Sequence, residues 1–403
     1  MKTIEKISTE NRTELCEADR LFLPDDTLEN ILRRIGMPVL LYDEKGLRER
    51  AKSLSLIPQL HVREISVALS PFPEILRIAK EAGMNAVCRS PEELQIAVAA
   101  GFPGERICYA GLCTRPELAE ILCELGATLL IGSPLMIPER IPDRVRLLCA
   151  VNGRSTFRLA ASSNRPTAGL TAEEATVIVP MIKRRGVRDI SLSVCPDKIS
   201  TGIGALSQKA DGLIRLSEQI SMACSAEING LHLGNGIGVG YNRFKPAPDL
   251  AAECEKLEQV LRTRATAYRI ECDLTHSLVE PSAIFVASCL GVYEREKQTI
   301  QIDAAFRQLA IPQFDRYRHI SLLGKNGVRD RRVTDVIGTD LLAKDWFADS
   351  RLLPAAEAGD RLIVHDVGCC FGEALESFLV CTDGTIQRII PGSDYFAESP
   401  DER

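Results

Sequence analysis

Eight short apolar runs alternate with helical patterns between Ile65 and Leu274, and this alternation constrains the fold more than any other feature of the chain. The runs lie near residues 65–69, 86–89, 106–110, 128–132, 144–152, 189–195, 228–234 and 268–274. Strands that alternate with helices form parallel sheets, and eight such units close into a barrel. The sequence therefore predicts an α/β fold with a (β/α)8 TIM-like barrel.

Helix boundary signals agree with this count. Three Ser or Thr residues stand three positions before a Glu, as in a capping box: Ser90, Thr114 and Thr171. Four glycines fall where helices should end: Gly83, Gly101, Gly126 and Gly186. These signals predict a helix after each of several barrel strands.

After about Ser277 the pattern changes to short alternating runs such as KQTIQID and LESFLVCT, which are typical of β-strands. We therefore expect a C-terminal β domain over residues 277–403. The barrel is expected over residues 36–276. An N-terminal segment, residues 1–35, is expected to pack with the β domain.

Composition excludes several classes of function. The chain has 403 residues, of which 45% are hydrophobic and 26% charged, and its net charge is −6. This balance predicts a globular protein with a sizeable core, and the dispersed basic residues indicate neither a nucleic-acid nor a membrane partner. No apolar run reaches the ~18 residues of a membrane span, and the charged N-terminus does not resemble a signal peptide, so a cytoplasmic location is expected.

The 14 cysteines are scattered without CxxC pairs, which favours small core residues over a metal site. The five histidines show no HxH or HExxH spacing, so no metal is predicted. His232 lies inside a strand-like run. A single histidine there is more often a hydrogen-bonded core residue than a ligand.

Several stretches carry a resemblance to a known family. They are MPVLLYDEKGLRERA, SVALSPFPEIL, SPEELQIAVAAGFPGERICYAG, LHLGNGIGVGY, VEPSAIFVAS, VIGTDLLAKDWFADSRLLP and GCCFGEALESF. In order and spacing the chain resembles the fold type III pyridoxal-phosphate decarboxylases, the family of diaminopimelate and ornithine decarboxylases. The resemblance implies an alanine racemase/ornithine decarboxylase-like barrel plus β domain, and a head-to-tail dimer with active sites at the subunit interface.

The same resemblance indicates that cofactor positions have changed. The family's Schiff-base lysine aligns with Ala68, which has no amine to form an imine. The histidine that stacks on the pyridine ring falls near Ser193. The phosphate loop becomes Gly234-Asn235-Gly236, in which the Asn235 side chain would crowd a phosphate. Glu280, whose counterpart pairs with the pyridine nitrogen, is kept.

Two further motifs carry the comparison into the β domain. In the interface loop, the family's cysteine aligns with Leu341, whereas its aspartate is matched by Asp345, a substrate or interface candidate. The tyrosine of the C-terminal motif aligns with Cys370. From these changes we expect a degenerate site, no covalently bound pyridoxal phosphate and no cofactor.

Three functions remain open at this point. The first is a non-catalytic scaffold, regulatory subunit or small-molecule binder, as a homodimer or a heterodimer with an active decarboxylase paralogue, with a ligand at the barrel mouth as one option. The second is an enzyme of altered, pyridoxal-phosphate-independent chemistry in a biosynthetic pathway, with Cys195, His276 or Glu280 as catalysts. The third is an amino-acid decarboxylase with an atypical site, whose amine is Lys80 or Lys198.

Overall fold

The computed structural model describes residues 23–149, 169–194, 204–236, 238, 250–263, 267–311, 318–325, 327–340, 342, 344–370, 372 and 375–393. The chain divides into two compact units. Among the described residues, those within 23–46 and 280–389 form the sheet unit, and those within 47–240, 250–279 and 390–393 form the barrel unit. The domain boundaries expected from the sequence stay a prediction. In the described part of the chain, no helix combines the length and apolarity needed to cross a membrane.

The strands of both units are numbered along the chain. They are β1 Val39–Asp43, β2 Val62–Ser66, β3 Asn85–Cys88, β4 Ile107–Tyr109, β5 Thr128–Ile131, β6 Arg144–Cys149, β7 Asp189–Val194, β8 Gly230–His232, β9 Arg269–Asp273, β10 Ala283–Glu294, β11 Gln298–Ile302, β12 Ile320–Leu322, β13 Arg331–Ile337, β14 Trp346–Pro354, β15 Arg361–His365, β16 Glu376–Val380 and β17 Ile386–Ile389.

The helices are numbered in the same way. They are α1 Asp25–Ile35, α2 Glu44–Ser55, α3 Pro73–Glu81, α4 Pro91–Ala99, α5 Pro116–Leu125, α6 Ala172–Arg184, α7 Ala205–Cys224, α8 Leu250–Arg262 and α9 Thr275–Val279.

Strands β2 to β9 form a closed barrel in which every neighbouring pair is parallel, including β9 with β2. The predicted eight-stranded α/β barrel is therefore confirmed. The first strand differs in position, because it ends at Ser66 and Val67–Leu69 form a single 3-10 turn. The apolar run near 65–69 thus covers the end of a strand and the turn that follows it, in which Val67 is buried.

Two of the three predicted helix caps are confirmed. Ser90 accepts a hydrogen bond from the Glu93 N–H, and Thr171 forms a reciprocal capping box before α6. Thr114 is not a cap, since α5 begins at Pro116 and residue 115 is its N-cap. Proline prefers the first helical position, so α5 begins at Pro116, one residue later than a cap at Thr114 predicts.

The four predicted helix-end glycines all have positive φ, between 64° and 96°: Gly83, Gly101, Gly126 and Gly186. This left-handed conformation favours glycine because it lacks a Cβ. The barrel helices therefore end where the sequence indicates.

The sheet unit holds a nine-stranded sheet among the described residues, with the order β14-β13-β11-β10-β1-β16-β17, while β15 pairs with β10 and β12. Helix α1 packs Leu28 and Leu32 against Leu41 on β1 and Val286 on β10. Full burial of one such side chain contributes about 1.5–3 kcal/mol. This apolar face orders the first described helix on the sheet.

Candidate functional site

A charged cluster fills the middle of the barrel. The Arg146 guanidinium on β6 donates two hydrogen bonds to the Glu64 carboxylate on β2, at 2.9 and 2.7 Å, and one to the Glu271 carboxylate on β9, at 2.5 Å. Strand β6 pairs with neither β2 nor β9, so these side chains meet through the barrel interior. The three residues are at most 3% exposed.

The charges in this cluster compensate one another. Burial acts to raise the pKa of Glu64, but the Arg146 guanidinium and the His232 ring outweigh it and hold this pKa well below the ordinary value. The pKa of Glu271 is also lowered, because Arg146 and Arg269 outweigh burial and the neighbouring Glu64 charge. Both carboxylates are therefore ionised acceptors at neutral pH.

The cluster continues toward the amino ends of the strands. The Ser191 hydroxyl and the Arg269 Nε both donate to Glu271 Oε1 at 2.8 Å. Arg269 also pairs with Asp189 at 3.0 Å and is partly exposed. We use the name barrel network for the connected set Glu64, Arg146, Asp189, Ser191, Ser193, His232, Arg269 and Glu271.

His232 links the barrel network to Ser193. Its Nδ1 lies 2.9 Å from the Ser193 Oγ and accepts the Gly234 N–H at 3.3 Å, while Nε2 lies 3.0 Å from Glu64 Oε2. The Nε2 contact is close, but Nε2 makes no hydrogen bond among the described residues. The histidine is hydrogen-bonded in the core, as expected for a single strand histidine. Ser193, predicted only as a replacement for a ring-stacking residue, is its partner.

Ala68, which the sequence resemblance aligns with the Schiff-base lysine, lies in the 3-10 turn directly after β2 and supplies no amine. The turn is flanked by Ser66 and Ser70, whose buried hydroxyls find no hydrogen-bond partner among the described residues. The Ser66 N–H donates to Thr275 Oγ1 at 2.7 Å and thereby ties β2 to the start of α9. The described residues at this position do not fit a cofactor held as an imine.

The predicted phosphate loop follows β8 and has a tight backbone. Gly234 and Gly236 have φ values of 71° and 61°. A Cβ on Gly236 would lie 2.4 Å from the Asp273 carbonyl oxygen, so no larger residue fits. The Lys209 ammonium lies 3.9 Å from the position of a Cβ on Gly234 and places a positive charge beside the loop. Asn235 is half-buried between the two glycines. Its cofactor-binding role stays a prediction.

In the sheet unit, Glu280 is 1% exposed and its Oε1 accepts a hydrogen bond from Arg318 Nη2 at 3.1 Å. The same nitrogen donates to the Cys370 thiol at 3.4 Å. Glu280 and Cys370, both predicted from the resemblance, therefore share Arg318. Sequence reasoning missed this arginine, because nothing local marks a partner 38 residues away.

Asp345 performs a structural task within its own unit. Its Oδ1 accepts the Phe306 N–H and its Oδ2 the Asp340 N–H, both at 2.6 Å. The side chain is buried and closes the turn between β13 and β14. Its predicted substrate or interface role stays a prediction, and Leu341 lies outside the described residues.

The remaining predicted catalysts stay predictions. His276 is buried in α9, and its catalytic role stays a prediction. Cys195 and Lys198 lie outside the described residues. Burial raises the pKa of the Cys108, Cys149 and Cys272 thiols to about 12, which keeps them protonated.

The barrel network was missed at the sequence level, although a signal for it exists. Polar residues recur at every second position in DISLSV (189–194) and RIECD (269–273). A period of two places them on one face of each strand, and inward-facing polar residues are unusual in parallel barrels. The alternation therefore marks a polar interior.

Comparison with known proteins assigns the family. The family model described as "Pyridoxal-dependent decarboxylase, C-terminal sheet domain" matches residues 40–368. Because this match spans most of the chain, the protein belongs to the pyridoxal-dependent decarboxylases of the ornithine, diaminopimelate and arginine type.

Individual relatives are distant. The chain is 23% identical to Protein TabA of Pseudomonas amygdali pv. tabaci over 362 residues, covering 87% of this chain and 84% of that protein. It is 24% identical to diaminopimelate decarboxylase of Escherichia coli K12 over 391 residues, covering 88% and 89%. A crystal structure of diaminopimelate decarboxylase from M. jannaschii with L-lysine superposes with a TM-score of 0.75 at 16% identity, covering 93% and 94%, a likeness that establishes the fold.

The family corrects one expectation. The prediction that no cofactor is needed is wrong for a chain whose family model describes pyridoxal-dependent decarboxylases. The prediction gave more weight to changes at single positions than to the cofactor of the family that the whole chain resembles. Pyridoxal phosphate is the cofactor of this family, so assays of this protein should include it.

Proposed function

We propose that this protein is a decarboxylase-like member of its family that has lost decarboxylation and serves as a scaffold, regulatory subunit or small-molecule binder. The observation that carries the proposal is Ala68 in the turn after β2. An amine at this point must act as both nucleophile and leaving group, and a methyl group can do neither. The proposal concerns the lost reaction and does not depend on whether pyridoxal phosphate binds.

A second observation supports the loss. Glu280, the residue aligned with the family's pyridine partner, is engaged by Arg318 inside the sheet unit. A carboxylate already paired with a buried guanidinium is a weaker partner for another cation, because its charge is compensated. Restoring the lysine alone would leave this pairing in place.

The idea that Lys80 supplies the amine in place of a lysine at position 68 is poorly supported. Lys80 lies in the last turn of α3, and its ammonium lies 2.9 Å from the position of a Cβ on Gly101. Gly101 follows α4 and precedes β4, so it belongs to the connections at the amino ends of the strands. Substrates bind barrels of this kind at the opposite end.

Decarboxylation is tested with purified protein and added pyridoxal phosphate, by measuring CO2 release from diaminopimelate and ornithine, with the E. coli diaminopimelate decarboxylase as positive control. We expect no release from the wild type or from Ala68→Lys. The matched control is Ala68→Met, which adds a chain of similar length without an amine. Cofactor-dependent release of CO2 by the wild type overturns the proposal. Release of CO2 by Ala68→Lys but not by Ala68→Met refutes the argument that the pairing of Glu280 with Arg318 also prevents decarboxylation.

We also propose that the chain works as a dimer, either with itself or with an active paralogue, in the cytoplasm. The dimer is suggested by the family resemblance alone. Analytical ultracentrifugation of the pure chain tests the homodimer, and copurification of a decarboxylase from its own cells supports the mixed dimer.

A second candidate function, an enzyme of altered chemistry on the same barrel, is favoured by one specific observation. Within the barrel network, Ser193 contacts one nitrogen of His232, and the other nitrogen of His232 contacts Glu64. Nucleophile, base and orienting carboxylate are the three parts of a hydroxyl-based catalyst.

A further inference from the structure

We propose that Ser193, His232 and Glu64 form a catalytic array in which the Ser193 hydroxyl attacks small carboxylic esters. The inference develops the second candidate function, and it stands apart from the loss of decarboxylation. It rests on strand pairing, on the tautomer of His232, on the ion pair behind Glu64 and on the position of the array in the barrel.

Strand pairing sets the first contact. Ser193 on β7 and His232 on β8 are direct register partners in the parallel pair. Their side chains therefore lie next to each other on the same face of the sheet, and the 2.9 Å separation of Oγ and Nδ1 follows from the backbone. A contact fixed in this way needs little ordering of flexible side chains.

The tautomer of His232 follows from its neighbours. A backbone N–H can only donate, so the Gly234 N–H at 3.3 Å requires Nδ1 to be an acceptor. In the neutral ring the proton is then on Nε2, the atom that lies 3.0 Å from the Glu64 carboxylate. The lone pair of Nδ1 faces the Ser193 hydroxyl, which is the arrangement that a general base requires.

Glu64, the third residue of the array, is ionised and held in a fixed orientation. Arg146 binds both of its oxygens, which fixes the plane of the carboxylate, and Oε2 also faces His232. A fixed carboxylate stabilises the imidazolium that forms when His232 takes a proton. The hydroxyl proton of Ser193 has one competing acceptor, the Val194 carbonyl oxygen at 3.1 Å.

The array lies at the functional end of the barrel. Ser193 is the penultimate residue of β7 and His232 the last residue of β8, and active sites of such barrels form at the carboxyl ends of the strands. His232 is 7% exposed and Ser193 2% exposed, so both side chains lie buried at this end of the barrel. The unpartnered Ser66 hydroxyl belongs to the same end and offers a hydrogen-bonding group to a ligand.

The reaction balances without any further reagent. The Ser193 Oγ forms a bond to the ester carbonyl carbon while its proton moves to His232 Nδ1. The carbon–oxygen bond to the alcohol then breaks, and the departing oxygen takes the proton from Nδ1. Water repeats the sequence on the acyl-serine, releasing the acid and restoring the hydroxyl.

The test uses a fluorophosphonate probe on the full-length protein, with mass spectrometry to locate the label, and p-nitrophenyl acetate to follow turnover. We expect labelling on Ser193, loss of labelling in Ser193→Ala, and a rate at least about tenfold lower in Glu64→Gln. The matched control is Ser217→Ala, a buried serine on α7 that lies outside the barrel network. It should be labelled like the wild type.

An unlabelled Ser193 in the folded protein overturns the inference, and so does equal labelling of the wild type and Ser193→Ala. Removing one buried hydroxyl costs about 1–3 kcal/mol, less than the stability of a typical domain, so we expect this variant to fold and to remain informative even where Glu64→Gln unfolds. The outcomes are separable from those of the decarboxylation assay. A negative probe result leaves the lost decarboxylation untouched, and cofactor-dependent CO2 release leaves the labelling of Ser193 untouched.

Discussion

Replacing Arg146 with methionine should destabilise the barrel far more than an equivalent change at the surface. The substitution keeps an unbranched side chain but removes three hydrogen bonds, at 2.9, 2.7 and 2.5 Å, from two carboxylates that are 1% and 3% exposed. Breaking a buried ion pair from one side costs about 3–5 kcal/mol, because a charge remains without compensation. His232 and Arg269 still contact these carboxylates, which places the expected loss within that range.

The matched control is Arg48→Met. Arg48 makes an ion pair with Glu81 at 2.8 Å, a similar distance, but its side chain is 44% exposed and that of its partner 54%. Surface pairs of this kind contribute about 0–1 kcal/mol. The two variants thus remove the same group at a similar distance and differ in burial.

Hydrogen exchange of peptides from β6 and β7 reports on the barrel unit directly. The only tryptophan, Trp346 on β14, reports on the sheet unit by fluorescence during urea unfolding. A loss of 3–5 kcal/mol accelerates exchange by about two to three and a half powers of ten. Lowering the pH from 7 to about 4.5 should reduce the difference in stability between the wild type and Arg146→Met. Carboxylates that have lost their cation become protonated at a higher pH than paired carboxylates, which removes the uncompensated charge from the variant first. Equal effects of the two substitutions would refute the reasoning.

Two further predictions concern stability. Thr171→Ala should lower the free energy of urea unfolding by about 1 kcal/mol, because it removes the α6 capping box. Thr114→Ala should lower it by less than about 0.5 kcal/mol, because Thr114 is not a cap. Equal losses in the two variants would contradict the cap assignment. The folded-state pKa values of Glu64 and Glu271 lie below the ordinary 4.5, so the stability they contribute is present above that pH and is lost as the pH falls below it. Thermal melting followed by circular dichroism should show this decline between pH 4.5 and 3, and Glu271→Gln should flatten it.

The barrel could be predicted because its evidence is repeated. Eight strand runs, the helix caps and the positive-φ glycines all indicate the same architecture, and local signals that agree specify a fold. The first strand was placed about three residues late. Its opening residues include the charged Arg63 and Glu64, which apolarity alone assigns to the surface, while the turn Val67–Leu69 continues the apolar run.

The site could be predicted only where a motif exists. Ala68 and Glu280 were singled out because the family resemblance marks those positions, and their roles stay predictions. Arg318, the partner of Glu280, could not be found, since their contact depends on how the sheet folds. His232 was read as a core residue, and its links to Ser193 and Glu64 cross strands that are far apart in the chain.

Stability alone does not account for the barrel network. Burying charges is costly, and a well-packed apolar replacement of a buried ion pair is often neutral or stabilising by about 1–4 kcal/mol. The Arg146 Nε finds no acceptor among the described residues, which adds a further cost. What an apolar core could not provide is a fixed carboxylate behind His232 and a defined tautomer facing Ser193. The cost of the network is explained if orienting that imidazole is its purpose, and this is the property that the Ser193 labelling experiment measures.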